Sequence, residues 1–293
     1  MKRVLFTIVV LLHIGLHTIF AGPNALKEIT AVKSYAKAGA TTAARIGLES
    51  LYHNPAGLTE IQGFMVSTSY SSFFDNFYSS MGFSLGYKIN DQLFFGFGIP
   101  VKIISDIPES IDINGMGQQV GTFSDIETCG ILSLAYQINE NIHFGISSTY
   151  QYHSVLKNYS KGFSVDAGLI LDYQIVSIGC MAQNITGEKI EWDTGYKEEQ
   201  EKVYSVGIGL NPVENFNLYA NSVFEDKDVI YNCAGEIRLT PLLSIPFGLA
   251  DVVNRQDFRI GLELKNGKSS INYVYGQNEF LGTIHKVSLE INI

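Results

Sequence analysis

Hydrophobic and polar residues alternate strictly along most of the chain beyond about Phe64. Met81, Phe83, Leu85 and Tyr87 alternate with Gly82, Ser84, Gly86 and Lys88. Tyr204, Val206, Ile208 and Leu210 alternate with Ser205, Gly207, Gly209 and Asn211. Phe258 to Lys265 repeats the pattern, and so does the last stretch, where Val287, Leu289, Ile291 and Ile293 alternate with Lys286, Ser288, Glu290 and Asn292. Successive side chains of a strand point to opposite faces, so each stretch reads as a strand with one apolar and one polar face. The pattern predicts fourteen strands, at about 64–72, 77–89, 92–104, 125–138, 141–154, 162–174, 176–184, 202–211, 214–224, 229–240, 242–250, 256–265, 268–276 and 283–293. Many are near the ~9–11 residues with which a tilted strand crosses a bilayer.

Alternation alone does not separate a membrane barrel from a soluble sandwich, whose apolar faces point inward. The connections do. Tight turns at Asn90-Asp91, Asn139–Asn141, Ile175, Pro212–Glu214, Thr240-Pro241 and Asn266-Gly267 fall on alternate hairpins. The other connections are mostly longer, and Ser105–Ser124 and Ile185–Glu201 are much longer. Short turns at one end and long loops at the other mark an outer-membrane barrel. The predicted fold class is therefore all-β, a transmembrane antiparallel β-barrel of about 14 strands, with a secreted soluble β-protein as the competing class. The terminal strand would close the barrel against the first, which removes the open edge.

The chain before Phe64 reads differently. Lys2 and Arg3, the apolar run Val4–Leu16 and the small residues Ala21 and Gly22 form a secretory signal pattern, placed over residues 1–21. Leu26, Ile29, Val32 and Ala36 recur at helical spacing and predict an amphipathic helix from Asn24 to about Lys37. Tyr52-His53-Asn54-Pro55-Ala56-Gly57-Leu58 predicts an ordered turn. In the strands, Gly82, Gly86, Gly96, Gly98, Gly145, Gly168, Gly207 and Gly209 all take the inward parity. Glycine weakens a strand and is kept where another backbone comes close. Residues 22–63 are thus expected to plug the lumen of a barrel formed by 64–293; relief of sheet curvature is the alternative use of these glycines.

Composition narrows the function. Charged residues are only 17%, while Tyr (16) and Phe (18) are abundant, as in all-β chains. A net charge of −9 without a basic patch excludes nucleic acid as the main partner. Cys129, Cys180 and Cys233 have neither disulfide-framework nor metal-motif spacing. Gly82-Phe83-Ser84-Leu85-Gly86 matches Gly-x-Ser-x-Gly in letters but lies inside an alternating strand pattern and is not a strand-to-helix elbow; with no P-loop and no His-Glu-x-x-His helix, neither an enzyme nor a cofactor is expected. His143 and His153 share one strand face but stand too far apart along it for a common metal. Arg259, Glu263, Lys286 and Glu290 have inward parity, with Asp166, Asp172, Glu236, Arg238 and Lys265. Mixed charges on that face suit a solvated or plugged lumen.

Three stretches resemble one family. Leu51-Tyr52-His53-Asn54-Pro55-Ala56-Gly57-Leu58 looks like the N-terminal signature of PorV/PorQ-like outer-membrane proteins, distant relatives of the FadL-type transporters. Met181–Gly187 resembles the family's Gln-Asn-Leu-Gly turn, and Leu281–Leu289 resembles its closing strand. Ala44-Arg45-Ile46-Gly47-Leu48 departs from the family's glycine-rich run, and Ile293 stands where an aromatic commonly ends such barrels. The resemblance implies a barrel whose N-terminal segment plugs or lines the lumen. It leaves two functions open: a conduit for small apolar molecules gated by the plug, or a scaffold holding an exported protein at the cell surface. The partners are accordingly outer-membrane lipid and either an apolar ligand or that protein. Ile103, Ile104, Ile107, Ile111 and Ile113, around the first long connection, fit a greasy entrance or a partner surface equally.

Overall fold

A computed structural model describes residues 23–293 except 114, 115, 188, 227, 255, 279 and 280; the expected signal peptide lies outside the described residues. Sixteen strands follow a helical N-terminal segment. They are β1 (Phe64–Phe73), β2 (Tyr78–Lys88), β3 (Leu93–Ile113), β4 (Met116–Asn139), β5 (Ile142–Val155), β6 (Asn158–Tyr173), β7 (Val176–Gln183), β8 (Lys189–Trp192), β9 (Lys197–Glu199), β10 (Val203–Val213), β11 (Phe216–Glu225), β12 (Asp228–Thr240), β13 (Leu243–Ala250), β14 (Asp257–Asn266), β15 (Ser269–Asn278) and β16 (Gly282–Asn292).

All but β8 and β9 form one closed antiparallel ring of fourteen strands. Closure is made by β1 against β16, with Val66 opposite Ile291 and Tyr70 opposite Val287. No edge is left open, as hydrocarbon requires. The alternation sorts side chains as predicted. Phe83, Leu134, Ile146, Val206, Leu262 and Leu289 stay exposed on the outer wall, whereas Ser84, Ser133, Ser147, Ser205 and Ser288 are buried on the inner one. An apolar exterior around a polar interior is stable only with lipid outside.

The two long connections depart from expectation. Ser105–Ser124 is not a loop: β3 and β4 run for 21 and 24 residues and continue as a ribbon beyond the wall. Bulges between Ile104 and Ile107 and between Glu109 and Ser110 absorb its twist. Pro108 and the glycines beyond it read as loop signals, but outside a sheet interior a two-stranded ribbon tolerates both. Ile185–Glu201 likewise contains structure. β8 pairs with β6 through Ser160–Trp192 and Lys161–Glu191, and β9 pairs with β8.

The N-terminal segment comprises α1 (Pro23–Thr30), α2 (Lys33–Ala36) and two 3-10 helices, Gly47–Tyr52 and Pro55–Glu60. The single predicted helix is thus two, interrupted at Ala31-Val32. Lys286 Nζ donates to the carbonyls of Ile29 and Ala31 at 2.6 and 2.9 Å, which occupies acceptors that a continuous helix would use. Leu48, Leu51, Leu58 and Ile61 are fully buried inside the barrel with Phe94 and Ile131 of the wall.

Candidate functional site

The site is the lumen and the segment that fills it. Asn54 caps the second 3-10 helix, its Oδ1 accepting from the Ala56 N–H at 3.1 Å. Its Nδ2 donates to the carbonyl of Thr42 at 2.7 Å and faces those of Leu169 and Cys180 at 3.3 and 3.4 Å. One side chain therefore ties the plug to itself, to β6 and to β7. Pro55 and Ala56 lie against Gly145 of β5, where an added Cβ would stand 2.3 Å from the Pro55 carbonyl carbon. Gly57 packs on Ser50 Oγ, 2.4 Å from where its own Cβ would be.

The glycine expectation divides. A Cβ at Gly82 would meet Thr30, at Gly86 Ile61 and Leu48, and at Gly96 Leu51, all within 2.8 Å. At Gly98 it would touch Tyr52 at an ordinary 3.5 Å, so that glycine is not needed for docking. Gly168 and Gly207 face Asn54 and Thr42, but Gly209 faces Tyr219 and Ser177 of neighbouring strands and has no close plug neighbour. Gly179, Gly248, Gly261 and Gly276, not singled out from the sequence, meet Thr42, Ala38, Ala36 and Tyr35.

The inward charges meet cations of the plug. Lys27 bonds Asp166 at 2.5 Å and Lys37 bonds Glu236 at 2.6 Å. Lys33 lies 3.0 Å from Glu290 and 3.9 Å from Glu263. Arg45 reaches Asp172 at 3.3 Å and Glu60 of its own segment at 3.4 Å. Arg259 and Lys286 sit 3.9 and 4.1 Å from the centroid of the Tyr35 ring, at cation–π distance. Inward parity marks the wall charges but not their plug partners Lys27, Lys33, Lys37 and Arg45, for which the recurrence of cations through residues 27–45 is the available signal.

Two buried groups of the plug carry shifted protonation equilibria. Burial raises the Glu49 carboxyl above its ordinary range, although Lys33 and the Ser34 N–H oppose this. Burial, with repulsion from Lys286 and Lys27, lowers His53 to about 3.

At the short-turn end, Thr59, His143 and Asp172 stand in a row. His143 Nδ1 is 2.9 Å from Thr59 Oγ1 and its Nε2 is 3.3 Å from Asp172. Thr59 Oγ1 also lies 3.0 Å from the Ala56 carbonyl, so this wall histidine is tied to the second 3-10 helix of the plug. The row docks the plug.

At the long-loop end the lumen is lined by aromatics. Phe73 and Tyr78 stack with ring centroids 4.4 Å apart, and Phe74 meets Tyr78 edge-on. Ile104 and Ile284 of the wall and Ile29 and Tyr35 of the plug complete this cluster.

Solved structures share the fold of this barrel. The monoaromatic hydrocarbon channel CymD is similar over 91% of this chain and 98% of its own, with TM-score 0.68 and 12% identity. The Pseudomonas putida toluene transporter TodX matches over 92% and 99%, with TM-score 0.66 and 12% identity. A Pseudomonas aeruginosa FadL homologue matches over 89% and 98%, with TM-score 0.62 and 10% identity. The chain has their fold. No family model and no curated protein sequence matches it.

Proposed function

We propose that the protein is an outer-membrane conduit for small apolar molecules, entered at the aromatic mouth and gated by residues 23–63. The observation that carries this reading is the Phe73–Tyr78–Phe74 cluster packed against the plug. An apolar solute that parts this packed cluster passes from water onto apolar rings, whereas a porin for polar solutes keeps a water-filled lumen. Structures of the same fold described as hydrocarbon channels and toluene transporters support it. Asn54–Gly57 and the inward glycines serve as the seat of the gate, and Arg259, Glu263, Lys286 and Glu290 hold it from the wall. Within the FadL-type barrels, the three sequence motifs favour the PorV/PorQ-like group.

The experiment is uptake of a radiolabelled monoaromatic hydrocarbon by cells lacking the protein and by cells complemented with it. Complementation is expected to raise initial uptake several-fold, and Phe73→Ala with Tyr78→Ala to reduce the gain. Equal uptake in all three overturns the reading. The scaffold alternative rests on one feature, the exposed Ile111, Ile113 and Met116 on the β3–β4 ribbon. An exported protein released from the cell surface by cutting back that ribbon, with uptake intact, would favour it.

A further inference from the structure

Three donor atoms converge at the long-loop mouth that neither docking nor conduction uses. Asp125 and Glu127 lie two apart on β4 and so share the inward face. His153 of β5 stands opposite Glu127 in the ladder. Its Nε2 is 2.8 Å from Asp125 Oδ1 and 3.8 Å from Glu127 Oε1. One donor atom from each of the three, all half-buried, lies within 4.8 Å of the others. Along the strand His153 shares a face with His143, but the ladder brings it carboxylates instead.

An ordinary ion pair accounts for part of this. Asp125 satisfies one imidazole nitrogen, and Lys102 bonds Glu127 at 2.8 Å. The Glu127 Oε1 that Lys102 holds is also the oxygen 3.8 Å from His153 Nε2, so donor atoms of all three side chains converge on one point between the strands. With a neutral imidazole the four groups carry one net negative charge. A dication between them uses all three donors and makes that charge positive. Tetrahedral zinc with bonds of ~2.0–2.1 Å holds its ligand atoms roughly 3.3 Å apart, so small side-chain rotations suffice. Imidazole with two carboxylates suits a first-row transition metal; calcium and magnesium take oxygen ligands. Both donor strands belong to a closed barrel, so the site is assembled before any ion arrives. We propose that Asp125, Glu127 and His153 bind a divalent transition-metal ion of the zinc or nickel kind, with its remaining position open to water.

Trp192 of β8 supplies the readout. Its ring meets that of His153 edge-on at 5.3 Å, and it is the only Trp in the sequence. Tag-free full-length protein in detergent micelles is titrated with NiCl2 while tryptophan emission is followed, and with ZnCl2 in a calorimeter. Saturable one-to-one quenching is expected, with matching zinc uptake. His153→Ala should weaken both on the order of 100-fold, and His285→Ala, on the outer wall beside Tyr273, should leave them unchanged. If His153→Ala does not reach the heat-modifiable folded form, Glu127→Gln makes the same comparison. Absence of saturable quenching and of zinc uptake overturns the proposal, as does equal affinity in a folded His153 or Glu127 variant.

Discussion

The carboxamide of Asn54 occupies the space that a side chain at Gly168 would need: a Cβ there would lie 1.9 Å from Asn54 Oδ1. The wall was kept bare where the plug touches it. The contacts at Gly145 and Gly179 are more demanding still, because the atoms met are backbone, at 2.3 Å in Pro55 and 2.1 Å in Thr42. Backbone cannot rotate away as a side-chain tip can. Gly145→Ala and Gly179→Ala should therefore unseat the plug, while Gly98→Ala, with 3.5 Å of clearance, should not. Limited proteolysis checks this through cleavage within residues 23–63. Equal protection in all three would show that the glycines do not seat the plug.

Most of the barrel is legible in the sequence, for a physical reason. A lipid-facing wall needs one apolar side chain in two, and the turn asymmetry orients the hairpins. The lumen was half legible. Inward parity marks a glycine as facing the lumen but not as facing the plug, so Gly209 was grouped with Gly145 although it meets Tyr219. Gly248, Gly261 and Gly276 carried the same parity and could have been read. Pairings such as Lys27 with Asp166, 139 residues apart, leave no local periodicity. The ribbon of β3 and β4 was missed because its Pro and Gly imitate a loop, and β8 because four residues are too few to show alternation.

The Lys27–Asp166 pair is almost wholly buried, 1% and 2% exposed. Removing one partner of such a pair strands the other charge, at a cost of about 3–5 kcal/mol. Asp166→Asn should thus weaken plug docking by that order. Lys27→Met with Asp166→Leu should restore much of the loss, since a buried pair replaced by apolar groups is often neutral. Hydrogen exchange in α1 measures docking for the wild type and both variants. Additive rather than compensating effects would mean that the pair is not the anchor.

The plug's cations meet the wall's acids at four places, through Lys27, Lys33, Lys37 and Arg45. Glu236→Gln and Glu290→Gln each remove one partner of a less buried pair, so each should cost less than Asp166→Asn. Sites well separated and without shared partners add. In the double variant the two docking losses should therefore sum as free energies, so the two fold-increases in single-channel opening frequency multiply. A double variant that opens no more often than either single one would show that the two pairs do not hold the docked plug independently.

His53 gives the gate a dependence on acidity. Its imidazole is held to about 3 in the docked plug against an ordinary ~6.5 when exposed. The docked form must keep it neutral, while the released form takes up a proton. Docking is therefore fully favoured above about pH 6.5 and weakens as pH falls toward 3. At pH 5 the loss is roughly 2 kcal/mol, at ~1.4 kcal/mol per pH unit below 6.5. Glu49 acts the other way. Its raised carboxyl costs docking at neutral pH and releases that cost as pH falls from the raised value toward the ordinary one, so it opposes the His53 effect. Glu49→Gln removes that opposition and isolates the imidazole. In the Glu49→Gln protein, proteolysis of residues 23–63 should rise roughly sixteenfold from pH 6.5 to 5 if the released form is what is cut, and adding His53→Phe should flatten the profile. A profile already flat in Glu49→Gln, or one that His53→Phe leaves unchanged, would remove His53 from the gate.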